Sequence, residues 1–105
     1  MKLWIDDVRP APEGYIWIKS TNEALNFIVN HLKEIEEIAL DHDAGYYAGW
    51  GGDYINILKE LERLAHKSPA TFIGYKFSIH TANPVGAANM RAIIQRNGWQ
   101  EIKEN

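Results

Sequence analysis

The sequence predicts one α/β domain with a mostly parallel five-stranded sheet in a three-layer arrangement. Three observations predict it. Short apolar and β-branched runs alternate with helical segments in the order strand, loop, strand, helix, strand, helix, strand, helix, strand, the alternation of a parallel α/β sheet. The run Ile38-Ala39-Leu40 shows no polar alternation, as expected of a strand covered on both faces. The chain has 105 residues, so residues 1–105 are read as a single domain.

Each element has its own local justification. Leu3-Trp4-Ile5 is a short apolar strand that stops at Asp6-Asp7, and the following VRPAPEG holds two prolines and a glycine, which make a loop rather than a helix. YIWIKS is aromatic and β-branched, hence a second strand. Ser20 and Glu23 have capping-box spacing, and Leu25, Ile28, Val29, Leu32 and Ile35 form one helical face. EIALDHD is the third strand, and AGYYAGWGG is a glycine-rich loop carrying Tyr46, Tyr47 and Trp50. Asp53 is placed to cap the next helix, whose apolar face is Tyr54, Leu58, Leu61 and Leu64 or Ala65. YKFSIHT is a fourth strand. Asn83-Pro84 opens a third helix with Met90, Ile93 and Ile94 on its apolar face, and Gly98 stops it before WQEI, a last edge strand. The first connection leaves parallel and antiparallel pairing both open.

Composition narrows the function. Hydrophobic residues are 46% of the chain, enough for a core, and the net charge of −3 with no long basic run predicts no extended nucleic-acid surface. Without cysteine there is no disulfide or thiolate chemistry, so any metal site uses Asp, Glu, His or backbone oxygen. No apolar run approaches membrane-spanning length. Acidic residues at positions 6 and 7 do not suit a signal peptide, so the expected location is cytoplasmic, with no membrane partner.

Three of the proposed strands end in polar residues: Asp6-Asp7, Asp41-His42-Asp43 and His80-Thr81-Ala82-Asn83. Ligands of open parallel sheets bind beyond the carboxyl ends of the strands. If these strands are parallel neighbours, the polar residues gather at one edge. Asp6-Asp7 as an acidic pair, KSTNEAL as a helix entry, Asp41 and Thr81-Ala82 resemble a response-regulator receiver domain, whose fold is flavodoxin-like. LWIDDVRP, LDHD and HTANPVG together resemble more closely the cyclic-phosphate-processing receiver-like domain, a divergent branch of that superfamily. Two departures stand out. VRPAPEG replaces the receiver's first helix, and WQEIKEN lacks the Lys-Pro that follows a receiver's fifth strand. First and last helices are therefore expected to be lost or reduced, and ordinary phosphotransfer is not expected.

The resemblance implies phosphoesterase-like processing of a small cyclic phosphodiester, of the cyclic-nucleotide or ADP-ribose cyclic phosphate type. The alternatives are a signalling module with Asp41 as phosphoacceptor, or a non-catalytic phosphate-ligand sensor. The residues themselves suggest roles. Asp6, Asp7 and Asp41 together suit a divalent cation such as Mg²⁺; otherwise they are solvated strand-end acids. His42 and His80, with Asp41, suit acid–base catalysis; otherwise each histidine is satisfied by a hydrogen bond. Arg9 offers a fork for phosphate, Thr81 and Asn83 add donors, and the Val85 and Gly86 N–H groups begin a helix that attracts an anion. Tyr46, Tyr47 and Trp50 are expected to pack down as loop anchors rather than stack on a ligand. His31 and His66 are expected to be solvated, and Trp4, Trp17 and Trp99 to be core residues.

Overall fold

The structure, a computed structural model, describes residues 1–103. Glu104 and Asn105, which end the WQEIKEN segment, lie outside the described residues. The elements are β1 (Lys2–Ile5), β2 (Tyr15–Ile18), α1 (Thr21–Asn30), β3 (Glu37–Leu40), a short 3-10 helix (Gly45–Gly49), α2 (Ile55–Lys67), β4 (Lys76–Ile79), α3 (Pro84–Arg96) and β5 (Gln100–Glu101). The strands form one sheet in the order β2-β1-β3-β4-β5. Every pairing is parallel, β1 with β2 included. This is the flavodoxin-like strand order, with its switch point between β1 and β3.

The parallel β1–β2 return is made without a helix, and its loop is held by side chains. Asp6 Oδ1 accepts the N–H of Val8 and of Arg9, each at 2.9 Å. The Trp4 indole N–H donates to the Arg9 carbonyl at 2.9 Å. Those bonds replace the ones a crossover helix makes within itself.

Register and alternation give the two sheet faces different partners. Leu3, Ile38 and Phe77 share one row, and Ile5, Ile18 and Leu40 another. These residues are buried in one cluster with Ala24 and Ile28 of α1, Ile57, Leu58 and Leu61 of α2, and Met90, Ile93 and Ile94 of α3. All three helices thus pack on this face. The intervening row, Trp4, Trp17, Ala39 and Ser78, points the other way and stays outside that cluster. Among the described residues, no helix stands between β1 and β2 or after β5. The layer expected there is reduced to the β1–β2 loop, which hangs on Trp4.

The helix starts follow the local signals. Ser20 Oγ accepts the Glu23 N–H at 3.1 Å, and Asn83 Oδ1 accepts the Gly86 N–H at 2.9 Å. Each such cap contributes about 1 kcal/mol. Asp53 does not cap α2. Its Oδ1 instead accepts the Ala44 N–H at 3.0 Å, and Tyr54 is the N-cap without a side-chain bond. A long-range loop closure has won over the local cap. The α1 face is also shorter than its periodicity suggests, because the helix ends at Asn30 and Val29 is exposed.

Candidate functional site

The site grows directly out of the sheet register. The ladder continues one residue past the strands, through Asp6 N–H to Ile18 O, Asp41 N–H to Ile5 O and His80 N–H to Leu40 O. Asp6, Asp41 and His80 therefore form the next row, directed by alternation to the face that carries Trp4 and Ser78. Asp6, Asp7 and Asp41 each bring a carboxylate oxygen within 4.8 Å of the others.

Asp6 is fully buried, and its second oxygen lies 3.1 Å from His80 Nε2. Asp41 Oδ1 accepts the His42 N–H at 2.7 Å. Asp7 sits where Gly45 approaches, and a Cβ on Gly45 would run into the Asp7 carboxylate. Gly45 also has φ +54°, so glycine is required there twice over. Burial, then the nearby charges of Asp6, Asp41 and Asp43, hold the Asp7 carboxyl above the usual carboxylate range.

This donor set fits a hard divalent cation, which takes several carboxylate oxygens and keeps its remaining waters. Asp7 gives a test of that fit. With a raised pKa, its unfolded form ionises at lower pH than its folded form, so ionised Asp7 costs stability at neutral pH. Asp7→Asn is expected to raise the unfolding temperature in chelator. In the unmodified protein, a cation about 100-fold above its Kd should add about 2.7 kcal/mol, a shift of roughly 10 °C or more. Asp7→Asn should lose most of that shift. Scanning calorimetry with EDTA or Mg²⁺ measures both, and an identical Mg²⁺ shift in the two proteins would remove Asp7 from the cation site.

The two histidines occupy unlike positions. His42 Nδ1 lies 2.7 Å from Asp43 Oδ1. That bond holds the Asp43 carboxyl below the usual range, so the ionised carboxylate receives the Nδ1–H and Nε2 is left to exchange protons. The ring is wedged against α3. A Cβ on Gly86 would come within 2.5 Å of His42 Cγ and 2.6 Å of Cδ2.

His80 is enclosed, with its side chain 8% exposed. It stacks on Trp4 at 3.7 Å between ring centroids, 7° from parallel. Its Nδ1 is buried without a hydrogen-bond partner. Burial lowers its pKa, partly opposed by Asp6. A neutral ring that donates Nε2–H to Asp6 leaves only a bare acceptor at Nδ1, the cheaper orphan. The unfolded chain binds a proton near pH 6.5 that the folded ring resists, so stability should fall as pH drops through that value toward the lower folded pKa. Urea unfolding between pH 7.5 and 5.5 reads this directly, and His80→Gln should flatten the slope.

The phosphate candidates are only partly brought together. Arg9 Nη1 donates to the His80 carbonyl at 3.0 Å, which places the guanidinium at the end of β4. Thr81 Oγ1 accepts the Asn83 N–H at 3.2 Å, and Asn83 Nδ2 reaches Asp43 at 3.4 Å. Val85 is exposed in the first turn of α3. The Gly86 N–H is a correction, since it is taken by the Asn83 cap and is not free for an anion. What Gly86 supplies is room for His42.

Other expectations also shift. His31 is not simply solvated, because it stacks on Phe27 and its Nδ1 meets the Phe27 carbonyl at 2.8 Å. Trp4 is buried as expected, yet it is also the ring on which His80 lies. Tyr46 and Trp50 do not pack down, being 80% and 49% exposed. Asp43 and Asp53 were absent from the expected site, yet with His42 they form a second group of possible metal ligands. Asp43 was legible as the residue beside His42, whereas Asp53 is brought in by its bond to Ala44 and by the Tyr54 N–H, which donates to the His42 carbonyl at 2.9 Å.

A family model described as the cyclic-phosphate processing receiver domain matches residues 1–96. No curated protein matches the chain, and no solved structure does. With the match spanning the strand ends that carry Asp6, Asp41 and His80, the chain belongs to the cyclic-phosphate processing receiver domain family.

Proposed function

We propose that the protein opens a small cyclic phosphodiester, hydrolysing it to a phosphomonoester at the carboxyl ends of the strands. The observation that carries this reading is the acidic group Asp6-Asp7-Asp41, with Asp41 followed in the chain by His42, whose imidazole is hydrogen-bonded to Asp43. Ring opening adds water to phosphorus, breaks the bond to one ribose oxygen and delivers a proton to that oxygen. His42 Nε2 supplies this proton, and Asp43 fixes the tautomer and supports the imidazolium. Asp7 takes the proton lost by the water through the carboxylate oxygen that a cation would leave unengaged. Asp41 holds the His42 backbone through its N–H. Arg9, Thr81, Asn83 and the Val85 N–H orient the phosphate. His80 acts through Asp6, which it positions. Mg²⁺ bound by Asp6, Asp7 and Asp41 would neutralise phosphoryl oxygens and acidify a bound water.

The test is a panel of 2′,3′-cyclic nucleotides and ADP-ribose 1″,2″-cyclic phosphate, assayed with Mg²⁺ and with EDTA. Phosphomonoester formation that depends on the cation is the expected result. Tight binding without turnover would make the protein a sensor instead.

The signalling alternative has its own test. Lys103 stands two residues past β5, exposed and followed by Glu104 rather than proline, so the receiver's Lys-Pro is not reproduced. Small phosphodonors are expected to leave no lasting phosphoryl adduct on Asp41 by mass spectrometry. A stable adduct would favour phosphoacceptor signalling.

A further inference from the structure

We infer that Tyr46, Tyr47 and Trp50 form a nucleobase subsite, so that the ligand of the acidic edge is a nucleoside phosphate of mononucleotide size. This rests on the phosphoester reading above and names its substrate class.

Tyr46 and Trp50 do little to hold their own segment in place. Tyr46 is 80% exposed and Trp50 49% exposed, and no residue of Gly45–Gly49 is buried. Backbone groups do the anchoring. The Trp50 carbonyl accepts the Asn22 N–H at 3.0 Å and the Ala48 carbonyl accepts the Gly52 N–H at 2.8 Å. The Gly52 carbonyl accepts Thr21 Oγ1–H at 3.1 Å, and the Gly51 carbonyl accepts an Asn56 Nδ2–H at 3.0 Å. The backbone so anchored carries an aromatic cluster of exposed Tyr46, half-buried Tyr47 and exposed Trp50, with ring centroids 5.3 to 5.9 Å apart.

Their placement ties them to the acidic edge. Gly45 abuts the Asp7 carboxylate, and Tyr46 is the next residue, one Cα step of about 3.8 Å away. That juxtaposition suits a ligand whose phosphate and base are separated by a single ribose. Tyr and Trp rings stack on any base, since every base has a π face. A net charge of −3 does not suit a longer polynucleotide, whose affinity depends on many phosphate contacts.

The experiment uses ligands with no cyclic bond to open, so binding is read apart from catalysis. Adenosine 3′-monophosphate and its base-free counterpart, ribose 3-phosphate, are titrated into the protein by calorimetry in Mg²⁺. The nucleotide should bind about 5- to 100-fold more tightly. Tyr46→Ala should remove most of that advantage and leave the ribose 3-phosphate Kd unchanged. Trp50→Leu, which keeps an apolar side chain without the indole, should act in the same direction. Both rings are exposed, so unfolding temperatures should not move. A tetranucleotide ending in a 3′-phosphate should bind no more tightly than the mononucleotide, and a gain of about tenfold or more would overturn the size assignment. Equal affinity for the two small ligands, or a nucleotide Kd untouched by both variants, would overturn the subsite while leaving the phosphate site standing. If neither small ligand binds, the subsite is overturned, and the phosphoester reading is decided separately by turnover of the cyclic phosphates.

Discussion

His42→Ala should lower kcat on a cyclic phosphodiester by about 10²–10⁴-fold, the range for removing a positioned acid or base. His42 is expected to dominate because its ring has one nitrogen committed to Asp43 and the other uncommitted. Asp43→Asn should cost less, about 10- to 100-fold, because it disturbs the ring's orientation and tautomer and leaves the ring in place. Gly86→Ala tests the same ring from behind. The added methyl would sit 2.5 Å from Cγ, so the imidazole or the start of α3 must move. A loss of kcat without loss of the folded state would show that the position of His42 matters. Arg9→Ala should raise KM more than it lowers kcat, since a phosphate clamp holds ground and transition states alike. Steady-state kinetics of the four variants on one confirmed substrate separates these effects. Full turnover by His42→Ala would move catalysis to the cation held by the carboxylates.

The second large effect is on stability. Asp6 is fully buried and accepts from Val8 N–H, Arg9 N–H and His80 Nε2. Asp6→Ala leaves those donors without their acceptor. Relief of carboxylate repulsion offsets part of the loss, and water can reach the loop amides. The net cost is expected to be about 2–4 kcal/mol, mostly from buried His80, or roughly 10–20 °C in unfolding temperature. Asp6→Asn should fall between. Its Oδ1 can keep the two loop amides, but its Nδ2 would face His80 Nε2 and force the ring to the other tautomer. The Nδ1–H would then be a buried donor with no partner, where at present only a lone pair lies. If Asp6→Ala unfolds at the temperature of the unmodified protein, the carboxylate's hydrogen bonds are offset by its repulsion from Asp7 and Asp41, and Asp6 is held there for function alone.

Local chemistry was legible in the sequence. Ser20 with Glu23 and Asn83 with Pro84 marked helix starts because a cap bonds within three residues. Ile38-Ala39-Leu40 read as a covered strand because buried backbone demands apolar side chains, and all three are buried. The polar residue types at the strand ends could also be read directly, although their mutual geometry could not. Asp6, Asp41 and His80 share a row because β1, β3 and β4 pair in one register, and a one-residue slip would send any of them to the other face. Parallel pairing of β1 with β2 depended on Asp6 and Trp4 holding a loop whose prolines bar a helix. The unlike fates of the histidines were decided at longer range still. His80 is sealed by Trp4 and Asp6, and His42 is propped by Gly86. The exposure of Tyr46 and the diversion of Asp53 to Ala44 followed from how one loop closes against α1 and α2. Caps and burial patterns are set by neighbours in the chain. Which nitrogen stays free, and which ring meets solvent, is set by contacts between segments dozens of residues apart, and those form only when the sheet does.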